Sequence, residues 1–84
     1  MRKREDGRNF VLPNYLEPVR VELHGNRSAG VEGCSGILIY ESGRIKIRAG
    51  KMTLCFTGSD LKLSCMDRDS LLIEGRITSL EYGR

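Results

Sequence analysis

Residues 44–82 read RIKIRAGKMTLCFTGSDLKLSCMDRDSLLIEGRITSLEY, and their spacing decides the fold class. Four runs alternate apolar with polar residues: Ile45 and Ile47; Met52, Leu54 and Phe56; Leu61, Leu63 and Cys65; Leu71 and Ile73. Between them lie Ala49-Gly50-Lys51, Thr57-Gly58-Ser59-Asp60 and Met66-Asp67-Arg68-Asp69-Ser70, all turn compositions. Period two with such punctuation marks consecutive antiparallel strands. An amphipathic helix needs apolar residues at i, i+3, i+4 and i+7, and the stretch does not supply them. The outward set of the same runs is Lys46 and Arg48, Thr53 and Cys55, Lys62 and Ser64, then Leu72 and Glu74. Gly75 interrupts the last run, and its phase shifts between Ile77 and the pair Leu80 and Tyr82. An extra residue near Thr78-Ser79, a β-bulge, restores the inward facing and lets the strand bend from one sheet to the other.

Upstream, Val19-Arg20-Val21-Glu22-Leu23-His24 alternates with Val19, Val21 and Leu23 inward, and ends at the turn pair Gly25-Asn26. Gly30, Gly33 and Gly36 precede the run Ile37-Leu38-Ile39-Tyr40. A phosphate cradle opens a helix, whereas these glycines lead into a β run, so they read as a bulge or bend where backbones approach closely. Ile37 and Ile39 face one way and Leu38 and Tyr40 the other, which predicts a central strand, apolar on both faces. Before all this, Phe10-Val11-Leu12-Pro13-Asn14-Tyr15-Leu16-Glu17-Pro18 is apolar but broken by two prolines. It reads as an extended arm laid on the sheet. Residues 1–9 have no apolar residue after Met1 and read as a disordered basic tail.

The whole is an all-β single domain over residues 10–84, of six or seven short antiparallel strands in a sandwich, roll or partly open barrel. A short β-solenoid is the alternative, although no fixed repeat length supports it.

Composition then bounds the function. A chain of 84 residues buries roughly 60% of its unfolded surface, and its core supplies about 3–5 kcal/mol. Cys34, Cys55 and Cys65 are odd in number, without a Cys-x-x-Cys, and His24 is the only histidine. A structural zinc site within the chain is therefore not expected, and neither is any other cofactor. The sequence shows no signal peptide and no long apolar run, so a cytoplasmic protein with reduced thiols is expected. With metal and disulfides set aside, a protein partner or self-association is the expected source of extra stability. The net charge of +3 sits partly in the tail, where Arg2, Lys3, Arg4 and Arg8 face Glu5 and Asp6. That tail is a candidate basic tether offering weak contact with an anionic membrane surface.

Catalysis is not expected, because one outward histidine at a strand end cannot complete a nucleophile, base and acid. Cys34, between glycine and serine, is the thiol to test. Its simpler reading is a small buried side chain. Cys55 on the outward set is a candidate interfacial residue, and Cys65 is placed inward. The candidate protein-contact surface comprises Val19, Val21 and Leu23 on one strand edge, Ile77, Leu80 and Tyr82 on another, with Gly33, Cys34 and Cys55. Such edges act by adding one sheet to another. The alternative function is a small nucleic-acid-binding barrel using Lys46, Arg48 and Lys62. It is disfavoured because Thr53, Cys55 and Ser64 stand where stacking aromatics belong.

Assembled, the pattern resembles the YabP/YqfC family of sporulation proteins, with the greater likeness to the YqfC branch. The resemblance is carried by Leu12-Pro13, by Pro18 leading into Val19-Arg20-Val21-Glu22-Leu23-His24-Gly25-Asn26, and by Val31-Glu32. It continues through Gly36-Ile37-Leu38-Ile39-Tyr40, Ile45-Lys46-Ile47, Leu54-Cys55-Phe56-Thr57-Gly58-Ser59-Asp60-Leu61 and Leu72-Ile73-Glu74-Gly75-Arg76-Ile77. It covers about residues 12–82. One departure is Gly33-Cys34, where relatives carry a more polar pair. The resemblance implies a non-enzymatic protein of the mother cell of an endospore former. It implies work in spore envelope assembly, near the forespore membrane, beside a membrane-anchored sporulation partner.

Overall fold

The computed structural model describes residues 19–83. The basic tail and the proline-broken arm lie outside the described residues. Six strands form one open antiparallel sheet: β1 (Arg20–His24), β2 (Ser28–Glu32), β3 (Gly36–Glu41), β4 (Arg44–Ala49), β5 (Met52–Asp67) and β6 (Ser70–Gly83), in the order β1-β2-β6-β5-β4-β3. Every pairing is antiparallel, which excludes the parallel rungs of a solenoid.

The expected turn at residues 57–60 is absent. The chain runs through it as one 16-residue strand, and β6 runs beside it for 14. What sits there is a bend. Asp60 adopts a left-handed φ of 54° and Gly75 a φ of 138°, and the β5–β6 register slips between Ser59 and Lys62. Gly58 lies so close to β6 that a Cβ would overlap the Arg76 carbonyl oxygen, and a Cβ on Gly75 would stand 2.5 Å from the Asp60 carbonyl oxygen. Glycine thus lets the two strands cross closely while still paired, whereas a turn would have separated them. One extra residue, Thr78, lies between the partners of Thr57 and Gly58. This is the bulge expected near Thr78-Ser79.

The bend divides the sheet into two layers. One holds β1, β2, the first part of β6 and the second part of β5. The other holds β3, β4, the first part of β5 and the second part of β6. Their inner faces meet in one core: Ala29, Val31, Leu61, Leu71 and Ile73 from the first layer, with Ile45, Ile47, Ala49, Leu54, Phe56 and Ile77 from the second. Phe56, Ile45, Ile47, Leu54 and Ile73 are fully buried. The two hairpin turns are tied to the bend. Gly58 N–H donates to Gly43 and Leu61 N–H to Ser42, while Gly75 N–H donates to Arg27 and Ile77 N–H to Asn26, all at 2.8–3.1 Å. The bend therefore keeps its backbone hydrogen bonds.

The placements of β3, Cys65 and two glycines differ from the sequence reading. Ile37–Tyr40 is not central, because β3 is an edge of the sheet. A bulge at Leu38 pairs Ile37 with Ile47 but Ile39 with Lys46, so Ile37 and Ile39 take opposite faces. Cys65 is exposed, because a register slip between Leu63 and Cys65 sets it opposite outward Leu72. Close approach explains neither Gly30 nor Gly36, each with nothing within 4 Å of an added Cβ, whereas Gly33 (φ 91°) turns the chain from one layer to the other.

A Gly75→Ala substitution should therefore destabilise the fold by at least about 2 kcal/mol, combining left-handed strain with overlap on Asp60. Gly30→Ala should leave stability unchanged or raise it by up to about 1 kcal/mol. Urea midpoints of the two variants check the difference, and equal midpoints would contradict the bend geometry.

Candidate docking surfaces

Pairing on β6 stops early: β2 covers only residues 70–74, and β4 covers only residues 52–57 of β5. Among the described residues the sheet thus presents four free edges: β1, β3, residues 78–83 of β6 and the second part of β5. An unpaired edge is a row of donors and acceptors that another strand can complete.

The sequence-expected contact residues fall into two groups. Val19 and Val21 are half-buried against the core and Leu23 is 50% exposed; Val21 and Leu23 lie on the edge strand β1 and Val19 just before it. Gly33 and Cys34 lie beyond the end of β2, where both N–H groups donate to the Asp69 carbonyl at 2.8 and 3.1 Å. Ile77 is buried, Leu80 is half-buried against the core, and Tyr82 is 63% exposed opposite Leu54. Residues 78–83 do form a free edge, but the Ile77 side chain belongs to the core. Cys55 lies apart from both groups, half-buried between Lys46 and Glu81. Lys46 and Arg48 lie on the outer face of one layer and Lys62, opposite Glu74, on that of the other. The bend therefore divides the cations that a nucleic-acid groove would need side by side.

The Cys34 thiol is free and half-buried. Its Sγ–H donates to the Asp69 carbonyl at 3.3 Å. Burial, chiefly, pushes the thiol above its ordinary 9.0; a backbone hydrogen bond opposes this, and the Asp69 carboxylate adds to it. His24 is exposed, with Nδ1 at 3.1 Å from Ser28 Oγ and Nε2 at 3.8 Å from Glu22. Among the described residues, no three His, Cys, Asp or Glu side chains gather closely enough to hold a metal ion, and no helix is long and apolar enough to cross a membrane.

Two features escaped the sequence reading. The first is a shallow groove of about 290 Å³ on the outer face of the first layer. The absent side chain of Gly30 leaves it a floor of Leu72 and Cys65, and Arg20, Glu22, Glu32 and Asp67 form its rim. The phase slip that exposes Cys65 was the missing signal. The second is β3, with Ile37, Leu38 and Tyr40 exposed at 39, 46 and 54%. Tyr40 also reaches the other layer, where its hydroxyl oxygen accepts the Leu63 N–H at 3.0 Å. One donor of the free β5 edge is satisfied in this way.

In comparison with known proteins, the sequence model of the YabP family fits residues 16–84. No curated protein and no solved structure matches the chain.

Two outcomes follow. Tyr40→Phe should lose about 1 kcal/mol by stranding the Leu63 N–H, read as faster amide exchange at Leu63; unchanged exchange would remove the inter-layer bond. Thiol alkylation at neutral pH should label Cys65 first and Cys34 last, because a raised pKa leaves less thiolate. Labelling of Cys34 should accelerate as pH rises past 9.0. Mass mapping reads the order, and early labelling of Cys34 would contradict it.

Proposed function

The chain belongs to the YabP family, a family of sporulation-related proteins, and from that premise we propose that it is a non-enzymatic assembly domain of spore envelope development. It works in the mother cell, near the forespore membrane, by docking to a membrane-anchored sporulation partner and to itself. Its likeness to the YqfC branch, from the residues quoted above, favours a companion role beside such a partner.

The observation that carries this reading is the set of free strand edges on a very small sheet. A two-layer domain of this size has a modest core, and a partner strand would add both hydrogen bonds and buried area. β1 sits next to the crossing at Gly33 and Cys34, the pair at which the resemblance described above implies a departure from the family pattern. We infer that this end meets the partner and that the departure tunes which partner is taken. The Cys34 thiol serves there as a small packing group and not as a nucleophile.

Deleting the gene in its sporulating host, with and without a complementing copy, tests the reading. Loss of heat-resistant spores, restored by the full chain and accompanied by a fluorescent fusion at the forespore boundary, is expected. Normal spore yield, or a fusion spread evenly through vegetative cells, would contradict it.

A further inference from the structure

We propose that a second copy of this chain docks antiparallel on the free edge of β3, about a twofold axis between Leu38 and Ile39. The proposal rests on the assembly reading and gives it an address.

The edges are not equivalent. β1 carries Arg20, Glu22 and His24 within five residues. The free part of β6 begins at the Thr78 bulge, where the Thr78 hydroxyl donates to the Thr57 carbonyl at 3.0 Å, and carries Glu81. The free part of β5 has its Leu63 N–H occupied by Tyr40. Such charges and an already occupied donor hinder pairing with an identical strand. β3, sequence GILIYE, has four apolar residues in succession and no charge before Glu41. Ile37, Leu38 and Tyr40 are exposed and Ile39 is half-buried, so a strand laid beside it would cover Ile37 and Tyr40 on one side and Ile39 on the other.

A copy of β3 fits this edge because of the Leu38 bulge. Residues directly opposite in an antiparallel pair share a face. Gly36 and Glu41 pair with outward Arg48 and Arg44, while Ile37 and Tyr40 pair with inward Ile47 and Ile45. The register that sets Gly36 against Glu41 therefore also sets Ile37 against Tyr40, each pair on its own face. Without the bulge, residues 36 and 41 would take opposite faces, as would 37 and 40, and both pairs would be mismatched.

Charge closes the arrangement at both ends. Glu41 of the second copy comes opposite Gly36, which has no side chain and open space around it. Beyond Gly36 on the same face stands exposed Arg48. With strands about 4.8 Å apart, the two backbones are about 10 Å apart, within reach of a glutamate and an arginine side chain. The twofold axis makes this contact twice.

Sedimentation equilibrium of the full chain over a concentration series tests the proposal. A reversible dimer is expected. Ile39→Lys should weaken it by roughly tenfold or more with the circular dichroism spectrum unchanged. Arg48→Glu should also weaken it, and adding Glu41→Arg to that variant should restore it, a rescue that does not depend on Ile39→Lys folding. A monomer up to the solubility limit, an open-ended polymer, or a dimer indifferent to both Ile39→Lys and Arg48→Glu would overturn the proposal. These readouts concern the edge alone, whereas the sporulation reading stands or falls on the gene deletion.

Discussion

Two long strands that bend without parting impose the constraint from which the rest of the structure follows. At Gly58 and Gly75 the backbones of β5 and β6 approach each other too closely for a side chain on either glycine. The strands stay paired on both sides of that crossing, so each contributes to both layers. Because the hairpin folds over on itself, the inner faces of one sheet become a closed core. The four hydrogen bonds from the bend to the turns at 26–27 and 42–43 fix where the outer hairpins lie. The arrangement is nearly symmetric: Gly58 and Leu61 bind one turn, Gly75 and Ile77 the other.

Period-two alternation made the strand content legible. Ile45, Ile47, Leu54, Phe56, Leu71 and Ile73 are all inward and buried as their spacing predicts. The turns at 50–51 and 68–69 were equally plain. What misled was a shared vocabulary. Thr-Gly-Ser-Asp suits a hairpin turn and also suits a bulged bend, because both require glycine and left-handed backbone. Only the pairing of β5 with β6 along their full length separates the two cases, and that is non-local information. The same applies to β3. Four apolar residues read as a strand buried on both faces, but burial depends on neighbours that the local sequence does not name.

Register slips at Leu38, Ser64 and Thr78 decide which residues reach the surface. The slip at Thr78 left a trace, since Leu80 and Tyr82 fall out of phase with Ile77. Those at Leu38 and Ser64 left none, because apolar residues stand on either side of each. Cys65 and Ile39 therefore moved to the outside, and with them the groove floor and the self-complementary edge. The family match makes the chain sporulation-related, and the free edges are what support the docking role proposed for it.

Amide hydrogen exchange across the chain tests the central claim most directly. If the bend holds the two layers together, the N–H groups of Gly58, Leu61, Gly75 and Ile77 will exchange only through global unfolding, as slowly as those of Phe56 and Ile73. Fast exchange at these four amides, with protection retained in the strands on either side, would show two sheets hinged loosely together and would contradict the account.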